Sequence, residues 1–221
     1  MLNHLHGRSG ADHASGSMLG WGKTYDHIVK LLFFGQEQKL RQATLDLARI
    51  RPGEQILEVG CGTGTLTLAA KAKAGPESQV AGIDIAPDMV ETAGQKAAKA
   101  GLDIQFQVGR IESIPYPEGQ FDLVLSSLKL HHIHGNEAKQ QGMRNIFRVL
   151  KPGGRLLIVD AAQPKNPLLR GLANLILGPE ILAHSLEEFI PLLKEAGFID
   201  VETGPTKSSF LAYLGGKKPS S

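Results

Sequence analysis

Glu58, Gly60, Gly62, Gly64 and Asp84 are the residues of this chain whose types and spacing could do chemistry. The glycines alternate in QILEVGCGTGTLTL (55–68), after the apolar residues Ile56, Leu57 and Val59 and before a stretch with helical character. Glycines so placed allow a tight turn and close approach of the backbone to a ligand. A helix opening near Thr63 would aim its free N–H groups and positive dipole end at that ligand. The turn therefore suits a nucleotide-like molecule with a negative end. A dinucleotide fingerprint wants its third glycine where this chain has Thr65, and an acid beside a pyrophosphate would oppose it. Glu58 is such an acid. It suits a ligand carrying an ammonium and a sulfonium, with a carboxylate turned to the helix N-terminus, which describes S-adenosylmethionine. Asp84 ends the next apolar run, VAGIDI (80–85), 20 positions after Gly64, where a carboxylate can accept both ribose hydroxyls. The competing readings are a glycine turn that only links strand to helix, and a solvated loop acid.

Composition bounds the elements that must hold these residues. With 221 residues, 42% of them hydrophobic and 21% charged, the chain can bury a full core and is most simply one domain. A net charge of +2 gives no global pull toward nucleic acid. The single cysteine, Cys61, excludes a disulfide framework and a multi-cysteine zinc site, which fits a reducing cytoplasm. Neither a signal peptide nor a stretch long enough to span a bilayer is read. His4, His6 and His13 lack acidic or cysteine partners at ligand spacing, so no metal site is expected.

Along the chain, residues 1–24 are expected to be a flexible tail, rich in Gly, Ser and His, and 25–215 a single domain. Apolar spacing over 25–50 predicts a helical cap in two pieces broken near Gly35. Strands are predicted at Val80 to Ile85, Ile104 to Val108, Phe121 to Ser126 and Arg155 to Asp160, besides the first. Helices are predicted from Pro87 to Ala100, stopped by Gly101, and from Asn136 to Leu150, stopped by Pro152-Gly153-Gly154. Ser185-Leu186-Glu187-Glu188 reads as a capping box for a helix to Ala196, and two last strands follow at Phe198 to Val201 and Ser208 to Leu214. Residues 216–221 read as a solvated tail. Alternating apolar strands and helices mean a parallel sheet covered on both faces, with ligands bound outside the carboxyl ends of the strands. Ile85 and Ile111 are placed to sandwich a flat base or else belong to the core, and Gly109-Arg110-Ile111-Glu112 follows the third strand at the position that would read the adenine edge.

ILEVGCGTG, GIDIAPDMV, QVGRIESIPYPEGQFDLVLSSLKLHHI and RVLKPGGRLLIVD resemble, in order, the motifs of the Rossmann-like (class I) S-adenosylmethionine-dependent methyltransferases. The branch is similar to ubiquinone/menaquinone C-methyltransferases and bacterial phospholipid N-methyltransferases. The resemblance implies an α/β three-layer fold whose mostly parallel seven-stranded sheet has an antiparallel last strand. It implies that Glu58, Gly60 and Gly62 hold the methionyl end, with Ser126 or Ser127 at its amino group. Asp84 would hold the ribose, Arg110 and Ile111 the adenine, and Tyr25, Cys61, Ile85 and Met89 complete the cofactor-binding set. The family usually has an acid or amide where Arg110 stands, and a guanidinium has no acceptor for the adenine amino group.

Methyl transfer from a sulfonium needs in-line geometry and a dry pocket more than a nucleophilic triad. His131 and His132 are the candidate catalytic residues, able to take a proton from a phenol or activated carbon; capping or core packing is the structural alternative for each. The Asn/Asp-Pro-Pro-aromatic set of base and glutamine methyltransferases is not present in SSLKLHHIH, which points away from nucleic acid. Residues 164–183 are expected to insert a lid: Leu168, Leu169, Leu172, Leu175 and Ile176 form an apolar stripe that grips a hydrophobic acceptor or else completes the core. The expected partners are a small-molecule or lipid acceptor, at most peripheral membrane contact, and a monomer or homodimer. Two rival functions are a cofactor-binding regulator without catalysis and a nicotinamide oxidoreductase.

Overall fold

The computed structural model describes residues 37–130, 133, 135–162, 185–206 and 211–220. In chain order the elements are α1 (Glu37–Ala48), β1 (Ile56–Val59), α2 (Thr65–Ala74), β2 (Val80–Asp84), α3 (Pro87–Ala100) and β3 (Gln105–Val108). They continue with β4 (Phe121–Ser127), α4 (Asn136–Val149), β5 (Leu150–Ala161), a 3-10 turn (Leu186–Glu188), α5 (Phe189–Ala196), β6 (Ile199–Pro205) and β7 (Leu211–Lys217). The strands form one seven-stranded sheet in the order β3-β2-β1-β4-β5-β7-β6. β1 pairs in parallel with β2 and β4, whereas β7 runs antiparallel to both β5 and β6. This is the expected α/β architecture with its antiparallel last strand. Strand order reverses between β1 and β4, and a crevice opens there at the carboxyl ends of the strands.

Alternation along the strands divides the core into two layers. Leu57, Val124, Leu156 and Ile158 pack with Met143, Ile146 and Val149 of α4 and with Phe189 and Leu193 of α5. Ile56, Leu123, Leu125, Leu157 and Val159 pack with Leu45 and Ala48 of α1 and with Leu66, Ala70 and Ala74 of α2. Each fully buried Leu or Ile contributes roughly 1.5–3 kcal/mol by leaving water, so a central strand apolar on both faces is held from both sides. The consequence for function is a rigid frame: β1, β2 and β4 cannot shift without opening both layers.

Most element ends lie where the sequence places them. Pro87 opens α3, and Gly101, left-handed at φ 64°, closes it by donating its N–H to Ala97 and Ala98 carbonyls. Ser185 accepts from the Glu187 N–H at 3.2 Å. Its capping-box partner Glu188 reaches Lys139 instead, at 3.0 Å, which ties the start of α5 to α4. α2 starts at Thr65 rather than near Thr63, because Gly64 still holds a left-handed φ of 74°.

The fifth strand begins earlier than expected. Leu150 pairs with Phe121 before the register shifts to Leu123 and Arg155, so Pro152-Gly153-Gly154 is an irregularity inside β5 and not a break before it. The chain's end also differs from the solvated tail expected at 216–221. Gly216 and Lys217 belong to β7, opposite Leu156 and Arg155. A Cβ on Gly216 would lie 3.2 Å from Phe198 Cδ1, so the glycines let β7 approach the ring and Leu193 closely. Lys218 donates to the carbonyls of Phe147 and Leu150 at 3.0 and 2.8 Å. The Gly-Lys composition read as a loop because it hides this packing. Of the expected cap over 25–50, the described part is α1. The tail at 1–24 and the lid at 164–183, with its stripe from Leu168 to Ile176, lie outside the described residues. No described helix is long and apolar enough to cross a membrane.

Candidate functional site

The glycine turn is built against the tip of β2. Gly60 and Cys61 both donate their N–H groups to the Ile83 carbonyl, at 2.8 and 2.9 Å, so the turn lies directly beside Asp84. Gly62 donates its N–H to Asp84 Oδ2 at 2.8 Å, and Ala86 donates to Oδ1 at 3.0 Å. These bonds lock the carboxylate at the crevice mouth. Gly60 and Gly62 hold left-handed φ values of 75° and 53°, which other residues adopt only at a cost of roughly 1–2 kcal/mol.

A cavity of about 350 Å³ opens over this turn, lined by Gly60, Asp84, Ile85, Arg110, Ile111, Ser126 and other residues of the strand tips. That volume lies in the range of small-molecule and cofactor sites. Six of the sequence-predicted residues thus meet around one space. Glu58, Cys61, Gly62, Met89 and Ser127 do not line it. Glu58 in β1 and Cys61 in the turn after it are buried, Gly62 presents its backbone to Asp84, and Met89 sits half-buried on α3. Tyr25, His131 and His132 lie outside the described residues.

The electrostatics of Glu58 and Cys61 follow from burial. Desolvation pushes the Glu58 carboxyl up to about 8, against the opposing pull of the Thr67 hydroxyl bonded to its Oε2 and of the Lys129 cation. Asp84, a second carboxylate nearby, adds to the rise. Burial also pushes the Cys61 thiol up, which makes it a packing group and not a nucleophile. Ser126 is 1% exposed, and its hydroxyl has no hydrogen-bond partner among the described residues. A buried hydroxyl left so costs about 1–3 kcal/mol, a cost that a polar ligand group at the cavity would relieve. The orphaned atom favours Ser126 over Ser127 as the side chain facing a ligand.

Sequence reasoning missed Lys129. Leu128 adopts a left-handed φ of 54°, with its N–H bonded to the Val159 carbonyl at 2.9 Å, and Leu130 donates to Asp160 Oδ2 at 2.8 Å. This turn carries the Lys129 stem back over Gly60, where a Cβ would lie 2.5 Å from Lys129 Cγ. Its ammonium stands 3.4 Å from Asp84 Oδ2. The signal was a lone cation in the apolar SSLKLHHI run, whose reach could not be read without the left-handed turn. Lys129 and ribose hydroxyls compete for one carboxylate. Lys129→Ala is therefore expected to tighten S-adenosylhomocysteine binding about threefold to tenfold by calorimetry, as for loss of a partly exposed ion pair. Weaker binding would show that the ammonium instead holds the ligand's carboxylate.

Comparison with known proteins shows the family and the fold. Residues 50–203 match the model of a methyltransferase-domain family. The ubiquinone/menaquinone biosynthesis C-methyltransferase UbiE of Ectopseudomonas mendocina is 33% identical over 147 residues, 66% of this chain and 56% of that protein. A demethylmenaquinone methyltransferase of Symbiobacterium thermophilum is 31% identical over 150 residues, 67% of this chain and 59% of that protein. The chain thus matches under two thirds of these relatives' length. Among solved structures, an S-adenosylmethionine-dependent methyltransferase of Aquifex aeolicus superposes with a TM-score of 0.67 over 89% of this chain and 96% of that one, at 23% identity. Phosphoethanolamine N-methyltransferase 2 of Haemonchus contortus, bound to S-adenosyl-L-methionine, gives 0.71 over 91% of this chain and 58% of that one, at 18% identity. The chain belongs to the methyltransferase-domain family and has the Rossmann-like fold of the S-adenosylmethionine-dependent methyltransferases.

Proposed function

We propose that this chain moves the methyl group of S-adenosylmethionine, by in-line displacement, to a small hydrophobic acceptor such as a quinone- or phenol-like oxygen or carbon, or a lipid. The observation that carries the reading is the mixed lining of the cavity: polar groups from Asp84, Ser126 and the Gly60 backbone, together with an apolar wall contributed by Val59, Ile85, Ile111, Leu130 and Ile133. Relatives named for quinone methylation support the acceptor class.

When bound, the cofactor supplies an activated methyl on a sulfonium. The protein's part is to hold it: Asp84 for the ribose, the Ser126 hydroxyl for the methionyl amino group, and the apolar wall to exclude water from the reacting atoms. These residues would hold the sulfonium so that the acceptor atom could form its bond to the methyl carbon as the methyl–sulfur electron pair left on sulfur. A phenol or carbon acid also loses a proton, and His131 or His132 is the group proposed to take it. Cytoplasmic action, as a monomer or homodimer with at most peripheral membrane contact, completes the reading.

Release of S-adenosylhomocysteine, followed with a dihydroxynaphthalene-type hydroquinone, phosphatidylethanolamine vesicles and a small polar amine, tests it. Turnover is expected on the hydroquinone or the lipid, and for the hydroquinone alanine at the participating histidine should lower kcat about 100-fold with cofactor affinity unchanged. Turnover only on the polar amine would refute the hydrophobic acceptor. Tight cofactor binding without turnover on any acceptor would favour a regulatory protein.

A further inference from the structure

The base end of the cavity lacks an acceptor where Arg110 stands, yet a carboxylate lines the same space two residues later. Gly109 donates its N–H to the Asp84 carbonyl at 3.0 Å, so the segment after β3 begins immediately beyond the proposed ribose acid. The chain then closes a turn in which the Ser113 N–H meets the Arg110 carbonyl at 3.1 Å. Two residues of α4 fix this turn. Asn145 Nδ2 donates to the Glu112 carbonyl at 2.7 Å, and Ile111 rests on Gly142, where a Cβ would lie 3.1 Å from Ile111 Cγ1. Glu112 lines the cavity with its side chain 27% exposed, and Arg110, 58% exposed, sets its Nε 3.6 Å from Glu112 Oε2.

We propose that Glu112 is the specificity residue for the cofactor's base: its carboxylate receives the exocyclic amino group of adenine, and Arg110 is a positioning residue that orients it. The proposal rests on the reading of the cavity as the S-adenosylmethionine site. A guanidinium offers only donors and a carboxylate only acceptors, so of the two charged side chains at this end only Glu112 can pair with an amino group. Asp84 fixes the ribose, and a flat base joined to that ribose extends between Ile85 and Ile111 toward Glu112. The turn is preorganised by Asn145 and Gly142, so little ordering is left for the ligand to impose. A base with a carbonyl oxygen in place of the amino group would face the carboxylate acceptor to acceptor and be rejected.

Calorimetry of the full chain with S-adenosylhomocysteine and its deaminated analogue S-inosylhomocysteine tests this. The wild-type protein is expected to bind the adenosyl compound about 30-fold or more tightly over the inosyl compound. Glu112→Gln, which can donate as well as accept, should bring that ratio to within about threefold of one while the melting temperature holds. Arg110→Ala should narrow the ratio about threefold through a less ordered carboxylate. A Glu112→Gln protein that keeps the wild-type ratio, or a wild-type protein that binds both compounds equally, overturns the proposal and leaves the cofactor reading standing. Binding of neither compound by the wild-type protein would contradict the cofactor reading itself, and the proposal with it.

Discussion

Gly62→Arg is expected to abolish S-adenosylmethionine binding, by at least about 1,000-fold or roughly 4 kcal/mol. The backbone at Gly62 is left-handed with φ 53°, so any side chain there is strained. A Cβ itself would fit, its nearest neighbour being Lys129 Nζ at 3.9 Å. The guanidinium beyond it would not: it would crowd the turn and set a second cation beside Lys129, where a sulfonium and an ammonium are to bind. The same strain weakens the Gly62 N–H bond that holds Asp84 Oδ2. Calorimetry checks the affinity and circular dichroism the fold. A folded variant that binds within about threefold of the wild type would remove the glycine turn from the site.

The second large effect is on stability. Glu58 is protonated to about pH 8 in the folded protein because burial penalises its charge, whereas in the unfolded chain it ionises near 4.5. Folding therefore holds a proton between these values. The stability this adds is fully present below about pH 4.5 and is lost as pH rises toward 8. The groups that face Glu58 are the Thr67 hydroxyl from α2, the Lys129 cation from the turn after β4, and Asp84 from β2. Glu58→Gln keeps the shape and removes the titration. It is expected to match the wild type near pH 5 and to exceed it above pH 8 by a few kcal/mol, roughly 5–10 °C in melting temperature. Melting curves across this range check it, and parallel profiles for the two proteins would contradict the buried neutral carboxyl. An ammonium-bearing ligand opposes that protonation, so its binding should release a proton below pH 8.

The fold was legible because its signals are local. Apolar alternation, Pro87 at the start of α3 and Gly101 after its end each act within one element, and the order of the motifs then allows few topologies. The cleft residues Gly60, Asp84, Ile85, Arg110, Ile111 and Ser126 were legible for a related reason, since each sits at the end of a strand whose position the sheet dictates. Long-range reach was not legible. Lys129 approaches Asp84 only because Leu128 turns left-handed, and no residue type at that position announces it. The stretch from Gly109 to Glu112 was legible at the base end, but its fixing by Asn145, 33 positions from Glu112, was not. Gly216 reads as a tail in sequence and as a close contact in space, because its value lies in a side chain that is not there.

Calorimetric titration of the wild-type chain with S-adenosylhomocysteine and, separately, with NAD decides which cofactor the cavity takes. One-to-one binding of S-adenosylhomocysteine at about micromolar Kd, roughly 8 kcal/mol, and negligible heat with NAD are expected. NAD binding as tightly as S-adenosylhomocysteine or more so would contradict the cofactor reading.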